Sequence, residues 1–200
     1  MSKCEHKCLK GKTKWYLIPG PKGDKGEQGP QGKQGEPGKC DCNCQSKGQL
    51  ITNSGFEKAT DGKPNNWVLT NPSGITITSA NGRVHSGNNA LTVKSQSAIS
   101  QTIEILDGGC FYELSFFLNA NGDNTGLTAT VKFITATGST IGSELIINKH
   151  DIPGASSNFA YYKVITAVAP TNTIAIEVKL TTSGASNQSV NIDDVSLTIN

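Results

Sequence analysis

From Gln49 onwards, short runs of Ile, Val, Leu and Thr alternate with polar residues at a period of two, the pattern of strands with one buried face. The alternation is visible in Ile75–Thr78 and in the runs 103–105, 127–133 and 174–180, where Leu127, Ala129, Val131 and Phe133, or Ile174, Ile176, Val178 and Leu180, share a side. Turn signals separate the runs: Asn81-Gly82, Ser86-Gly87, Asp107-Gly108-Gly109, Asn121-Gly122 and Ser183-Gly184. About ten strands are predicted and no window carries the helical period. Strands of this number and spacing predict an all-β, two-sheet jelly-roll sandwich over residues 49–200.

Ahead of that region the pattern is of another kind. Glycine occupies positions 20, 23, 26, 29, 32, 35 and 38, an unbroken run of Gly-X-Y triplets ending at Cys40. Only a collagen triple helix demands glycine at every third position, because three chains crowd one axis. The repeat therefore predicts a trimeric rod on the order of 60 Å long. Four segments result: a leader at 1–19, the Gly-X-Y stalk at 20–40, a Cys-rich neck at 41–48 and the β head at 49–200.

The rod is short. Pro37 is the only proline in a Y position, and the Lys22/Asp24 and Lys25/Glu27 pairs are exposed, so each contributes little. The ordering entropy of three chains has to be met at the ends. Cys40, Cys42 and Cys44 follow the last triplet, where inter-chain disulfides would lock the register; Cys4 and Cys8 lie at the far end, where they would join one subunit to the next. Zinc is the alternative for both clusters, with His6 beside Cys4 and Cys8, although Cys-x-Cys-x-Cys is not a usual zinc spacing. Cys110 stands apart, either as a buried inert thiol or as the partner of a leader cysteine from a neighbour.

Charge divides with the segments. Residues 1–50 carry ten Lys against five acids, and 51–200 carry eight basic against eleven acidic groups. Lysines that alternate with acids, without Arg or aromatic interleaving, describe a solvated stalk and not a nucleic-acid surface. No apolar stretch is long enough to span a membrane, and the N-terminus lacks the apolar core of a signal peptide. Six cysteines without an export signal suggest a protein made inside a cell and exposed when that cell lyses, as at a spore surface.

Four features occur in order: the opening Leu50-Ile51-Thr52-Asn53-Ser54-Gly55-Phe56-Glu57, Trp67, the turn at 85–91 and the ending Val190-Asn191-Ile192-Asp193-Asp194-Val195. Together they resemble the jelly roll of carbohydrate-binding modules, and more closely the related domain of collagen-like proteins from spore-forming Bacillus and Clostridium relatives. The rod beside it resembles the collagen-like hairs and appendages of bacterial spores. The resemblance implies that Trp67 is a core residue. It also implies a structural calcium where first and last strands meet, with Glu57, Asp193 and Asp194 as ligands and backbone carbonyls near Asn53 and in the 86–88 turn. Sugar stacking would fall to Tyr112 and Tyr161, since Tyr161 and Tyr162 point to opposite faces of a strand.

The primary expectation is a structural protein: a homotrimeric, disulfide-crosslinked subunit of a collagen-like fibre on a spore surface, contacting itself and other surface proteins. Its leader, through Trp15, Tyr16, Leu17 and Ile18, would add a strand to a neighbouring head and give an open, head-to-tail filament. The alternative is a trimeric lectin that gains avidity from three weak glycan sites. An enzyme is not expected: no nucleophile elbow is present, and Asp193 and Asp194, adjacent on a strand, should diverge to opposite faces.

Overall fold

A computed structural model describes residues 44, 48–105, 108–122, 124–155, 158–185 and 187–199. The chain divides into two compact units, Met1–Cys40 and Asp41–Asn200, and the described residues belong to the second. The Gly-X-Y segment, the leader residues Cys4, Cys8, Trp15, Tyr16, Leu17 and Ile18, and the neck residues Cys40 and Cys42 lie outside them.

The described strands run in chain order as β1 (Ala59–Thr60), β2 (Lys63–Pro64), β3 (Val68–Thr70), β4 (Ile75–Thr78), β5 (Ala90–Lys94) and β6 (Ala98–Glu104). There follow β7 (Tyr112–Asn121), β8 (Thr125–Thr135), β9 (Gly138–Ile147), β10 (Ala160–Ile165), β11 (Thr173–Gly184) and β12 (Ser189–Ile199). After a small β1–β2 hairpin, the rest form two five-stranded antiparallel sheets, ordered β10-β7-β12-β5-β4 and β3-β6-β11-β8-β9. Successive long strands often change sheet, as β6 to β7, β7 to β8 and β11 to β12 do, which makes the jelly-roll sandwich. Among the described residues no helix is long and apolar enough to cross a membrane.

The core lies between the sheets and follows the period-two pattern. Tyr112, Leu114, Phe116 and Leu118 from β7 meet Leu127, Ala129, Val131 and Phe133 from β8, all buried. Burying a large apolar side chain contributes about 1.5–3 kcal/mol, so these facing rows set which side of each strand points inward. Trp67 is buried as the resemblance implied; its ring lies 5.5 Å from that of Phe56 and its Nε1 donates to Asn53 O at 3.2 Å. One alternation breaks. Ile174 is 52 % exposed because the β11 register shifts between Thr173 and Ala175, so only Ile176, Val178 and Leu180 continue inward.

Two cysteine assignments are corrected. Cys44 and Cys110 form a disulfide within one chain, with Cα atoms 5.6 Å apart. Cys44 is therefore no inter-chain neck bridge here, and Cys110 is neither an inert thiol nor a partner for a leader cysteine. The cause is topological: β12 ends, β7 begins and the chain enters at the same end of the sandwich, where Leu50 N donates to Leu197 O at 2.9 Å.

Candidate functional site

The outward side of the β7-containing sheet carries chemistry that the core pattern leaves over. Phe116 and Phe117 are consecutive, so burying the first turns the second outward. Register then places Phe117 opposite Tyr161 of β10 on one side and Asp193 of β12 on the other. The Phe117 and Tyr161 ring centroids are 5.1 Å apart. His85 stacks on Phe117 at 3.5 Å with planes 13° apart and meets Phe159 edge-on at 5.5 Å. A cavity of about 380 Å³ opens beside these rings, lined by Gly82, Val84, His85, Asn158 and Phe159.

His85 belongs to a loop, and three side chains tether that loop. Asn119, fully buried, donates from Nδ2 to Gly82 O at 2.9 Å and accepts from Asn191 Nδ2 at 2.7 Å. Asp193 Oδ2 accepts from the backbone N–H groups of His85 and Ser86 at 2.8 and 3.1 Å. Glu57 Oε1 accepts from the N–H groups of Asn88 and Asn89 at 2.8 and 3.1 Å. Gly87, at φ +67°, passes so close that a Cβ there would be driven into Glu57 Oε1. These three tethers fix the backbone that presents the imidazole to Phe117.

Asp193 and Asp194 do not diverge as a regular strand would require. The β12 register shifts between Asp193 and Ser196, and Asp194 adopts φ +49°. Both carboxylates consequently reach the same turn: Asp194 Oδ2 lies 2.7 Å from His85 Nδ1, and Ser86 Oγ donates to Asp194 Oδ1 at 2.9 Å. Burial pushes the Asp193 carboxyl up to about 6, against the N–H donors of Ser86 and His85, which lower it; the neighbouring Asp194 charge raises it further. The Ser86 hydroxyl bonds to a carboxylate and not to the imidazole, so Ser86 and His85 are not arranged as a nucleophile–base pair.

The implied calcium ligands are brought to one place, where the 53–57 loop meets β12; Val195 N donates to Ser54 O at 3.0 Å. Their oxygens, however, are engaged by protein donors. Asp193 Oδ1 accepts the Asp194 N–H, Glu57 Oε2 accepts Asn89 Nδ2, and Asn53 O accepts from Trp67 and Phe56. Among the described residues no group of three or more His, Cys, Asp or Glu converges on a metal-sized point. In this arrangement Asp193 and Glu57 accept backbone N–H groups of the 85–89 turn, and Asp194 engages the side chains of His85 and Ser86.

Of the sugar-stacking tyrosines, Tyr161 is 51 % exposed and stands at the edge of the ring row. Tyr112 is a correction: it is fully buried, its ring 6.1 Å from that of Phe133, because it shares parity with Leu114 and Phe116. Phe117, Phe159 and His85 escaped the sequence reading. The Phe116-Phe117 pair was the available signal for the first; the other two come from loops whose packing has no local signature.

A larger cavity, about 530 Å³, lies where β8 begins and β9 ends, lined by Asn124, Thr128, Ile146, Asn148 and Lys149 among others. Its lining holds no Phe, Tyr or Trp and a single imidazole, His150, and the face beside it carries the cross-strand row Val68, Ser100, Lys179, Thr130 and Glu144 with a Lys132–Glu177 ion pair at 3.4 Å. Ring stacking favours the smaller, aromatic cavity despite its size.

No family model and no curated protein matches the sequence. Solved structures similar to this chain include carbohydrate-binding modules of jelly-roll fold. The module TmCBM61, in complex with beta-1,4-galactotriose, aligns over 76 % of this chain and 99 % of its own at 17 % identity and a TM-score of 0.57. The CBM22-1 xylan-binding domain of Paenibacillus barcinonensis Xyn10C aligns over 73 % and 91 % at 11 % identity and a TM-score of 0.52. A cyclase from Fischerella sp. TAU is also similar, over 78 % and 98 % at 16 % identity and a TM-score of 0.54. At these identities the likeness is one of fold.

Proposed function

We propose that the head is a non-catalytic glycan-binding module whose platform is the ring row Tyr161, Phe117, His85 and Phe159. One observation carries the reading: a packed row of rings runs from half-exposed Tyr161 through Phe117 and His85 to Phe159, and the last two line a cavity together with Asn158. Aromatic faces stack on the C–H faces of pyranose rings, and an amide orients hydroxyls by hydrogen bonding. The tethered loop supports affinity by holding the imidazole in place before a ligand arrives. Titration calorimetry against a polysaccharide panel that includes galactan and xylan tests the proposal. Tyr161→Ala and Phe159→Ala should each weaken binding about tenfold, a change of about 1.4 kcal/mol. Silence across the panel, or affinity unchanged in both variants, overturns it.

A second reading is favoured by the unbroken Gly-X-Y run. In it the chain is a homotrimeric, collagen-like subunit of a spore-surface fibre, joined through Cys4, Cys8 and the 15–18 leader, with Cys40 and Cys42 left for inter-chain bridges. The readings are compatible, since three heads on one rod gain avidity. Negative-stain images of the chain lacking residues 1–18 test the fibre; filaments that persist without the leader remove it.

A further inference from the structure

The tripeptide Ala-Asn-Gly occurs twice in the head, at 80–82 and at 120–122. Asparagine followed by glycine is liable to attack by its own backbone, since a residue without Cβ lets its nitrogen approach the asparagine side-chain carbon. The two sites share this local chemistry, so tertiary structure sets them apart. Asn121 is locked. It pairs with Ser189 in the β7–β12 ladder, and its Nδ2 donates to Ser189 Oγ and to Asn191 Oδ1, each at 3.1 Å. The Gln188 side chain also crowds Gly122, where a Cβ would lie 2.7 Å from its Cδ.

Asn81 stands in the opposite situation. It is exposed, between β4 and β5, in a turn closed by Arg83 N–H donating to Ala80 O at 3.0 Å. Left-handed Gly82, at φ +76°, makes this a type II turn, and the closing bond leaves the Gly82 N–H outside it. Among the described residues, no acceptor faces the Gly82 N–H and no partner holds the Asn81 side-chain amide. The attacking nitrogen and its target are therefore both free to meet. Gly82 O, by contrast, accepts from fully buried Asn119 at 2.9 Å, and a Cβ on Gly82 would lie 2.7 Å from Ala155 O. A longer backbone at this turn therefore moves that carbonyl off Asn119.

We propose that Asn81 is a site of spontaneous covalent modification and that its isoaspartyl product releases the 82–89 turn from Asn119. The Gly82 nitrogen attacks Asn81 Cγ and passes its proton to the departing side-chain nitrogen, which leaves as ammonia. A C–N bond to Gly82 forms as the bond to the amide nitrogen breaks, giving a cyclic succinimide. Water then adds to one of the two ring carbonyls, and neither an oxidant nor a reductant takes part. Opening at the main-chain carbonyl diverts the backbone through the side chain as isoaspartate; opening at the other gives aspartate. Isoaspartate lengthens the chain by a methylene, displaces Gly82 O and leaves the buried Asn119 amide without its acceptor. Aspartate adds surface charge and leaves the backbone path as it was.

Peptide mapping by mass spectrometry of the full chain, incubated folded and in urea at mildly alkaline pH, tests the site. Two hydrogen bonds of ordinary strength must break at Asn121, so in the folded chain it should react roughly thirtyfold more slowly than Asn81. In urea the two should convert alike, because each lies in the same tripeptide. Equal conversion of the two in the folded chain, or an Asn81 that stays unreacted there, overturns the proposal. Amide hydrogen exchange tests the release. In chains carrying isoaspartate at 81, identified by isoaspartate-specific methyl labelling, the His85, Ser86, Asn88 and Asn89 N–H groups should exchange roughly fivefold faster. The Asn81→Asp variant should keep the protection of the parent chain. Protection equal in isoaspartyl and parent chains, or lost equally in Asn81→Asp, overturns the release.

Discussion

Replacing Cys44 with Ala should lower the melting temperature of the head by an amount that follows from chain statistics. The bond to Cys110 spans a sequence separation of 66. A cross-link of that length removes about 4 kcal/mol of unfolded-chain entropy at 25 °C, if native strain is absent. For a domain of this size each kcal/mol corresponds to about 2–4 °C, so a fall of about 8–16 °C is expected. Cys44 is exposed and contributes little packing, so Cys44→Ala isolates the tether. Cys110 is buried, so Cys110→Ala should lose the same amount plus a smaller packing contribution. The double variant should match Cys110→Ala alone, because the tether can be lost only once. Scanning calorimetry of the three variants under non-reducing conditions, and of wild type with reductant, measures this. A Cys44→Ala head that melts with wild type, or losses that add in the double variant, would refute the intrachain pairing.

The Asp193 carboxyl gives a pH signature of defined sign. Its folded value of about 6 exceeds the unfolded value, so the stability it contributes is fully present below about pH 4 and lost as pH rises through 6, by at most about 3 kcal/mol. Urea unfolding of wild type and Asp193→Asn between pH 4 and 7.5 should show their difference changing in that window; a constant difference defeats the argument. Gly87→Ala should cost about 1–2 kcal/mol for its left-handed backbone and more for the collision with Glu57. Gly62→Ala, at φ +72° with nothing near its Cβ, provides the backbone cost alone, and equal losses at the two sites would disprove the Glu57 clamp.

Much of the head was legible in the chain because burial on a strand is a local, period-two property. The inward row of β8 and the opposite facing of Tyr161 and Tyr162 follow from which residues alternate, whereas the burial of Trp67 came from the family resemblance. The glycine period is likewise a local pattern, and the triple helix proposed from it lies outside the described residues.

What the tertiary structure decided was everything that depends on register, or on which loops meet. Cys44 pairs with Cys110 because strand order brings two ends together, and cysteine spacing carries no such information. Ile174 faces solvent, and Asp194 turns beside Asp193, because each strand slips by a bulge that leaves the alternation in sequence intact. His85 and Phe159 join Phe117 and Tyr161 only after the tethered loop folds over the sheet. Alternation is paid residue by residue along one strand, whereas the ring row, the amide clamps and the disulfide are contacts between segments far apart in the chain, whose partners exist only once both sheets have closed.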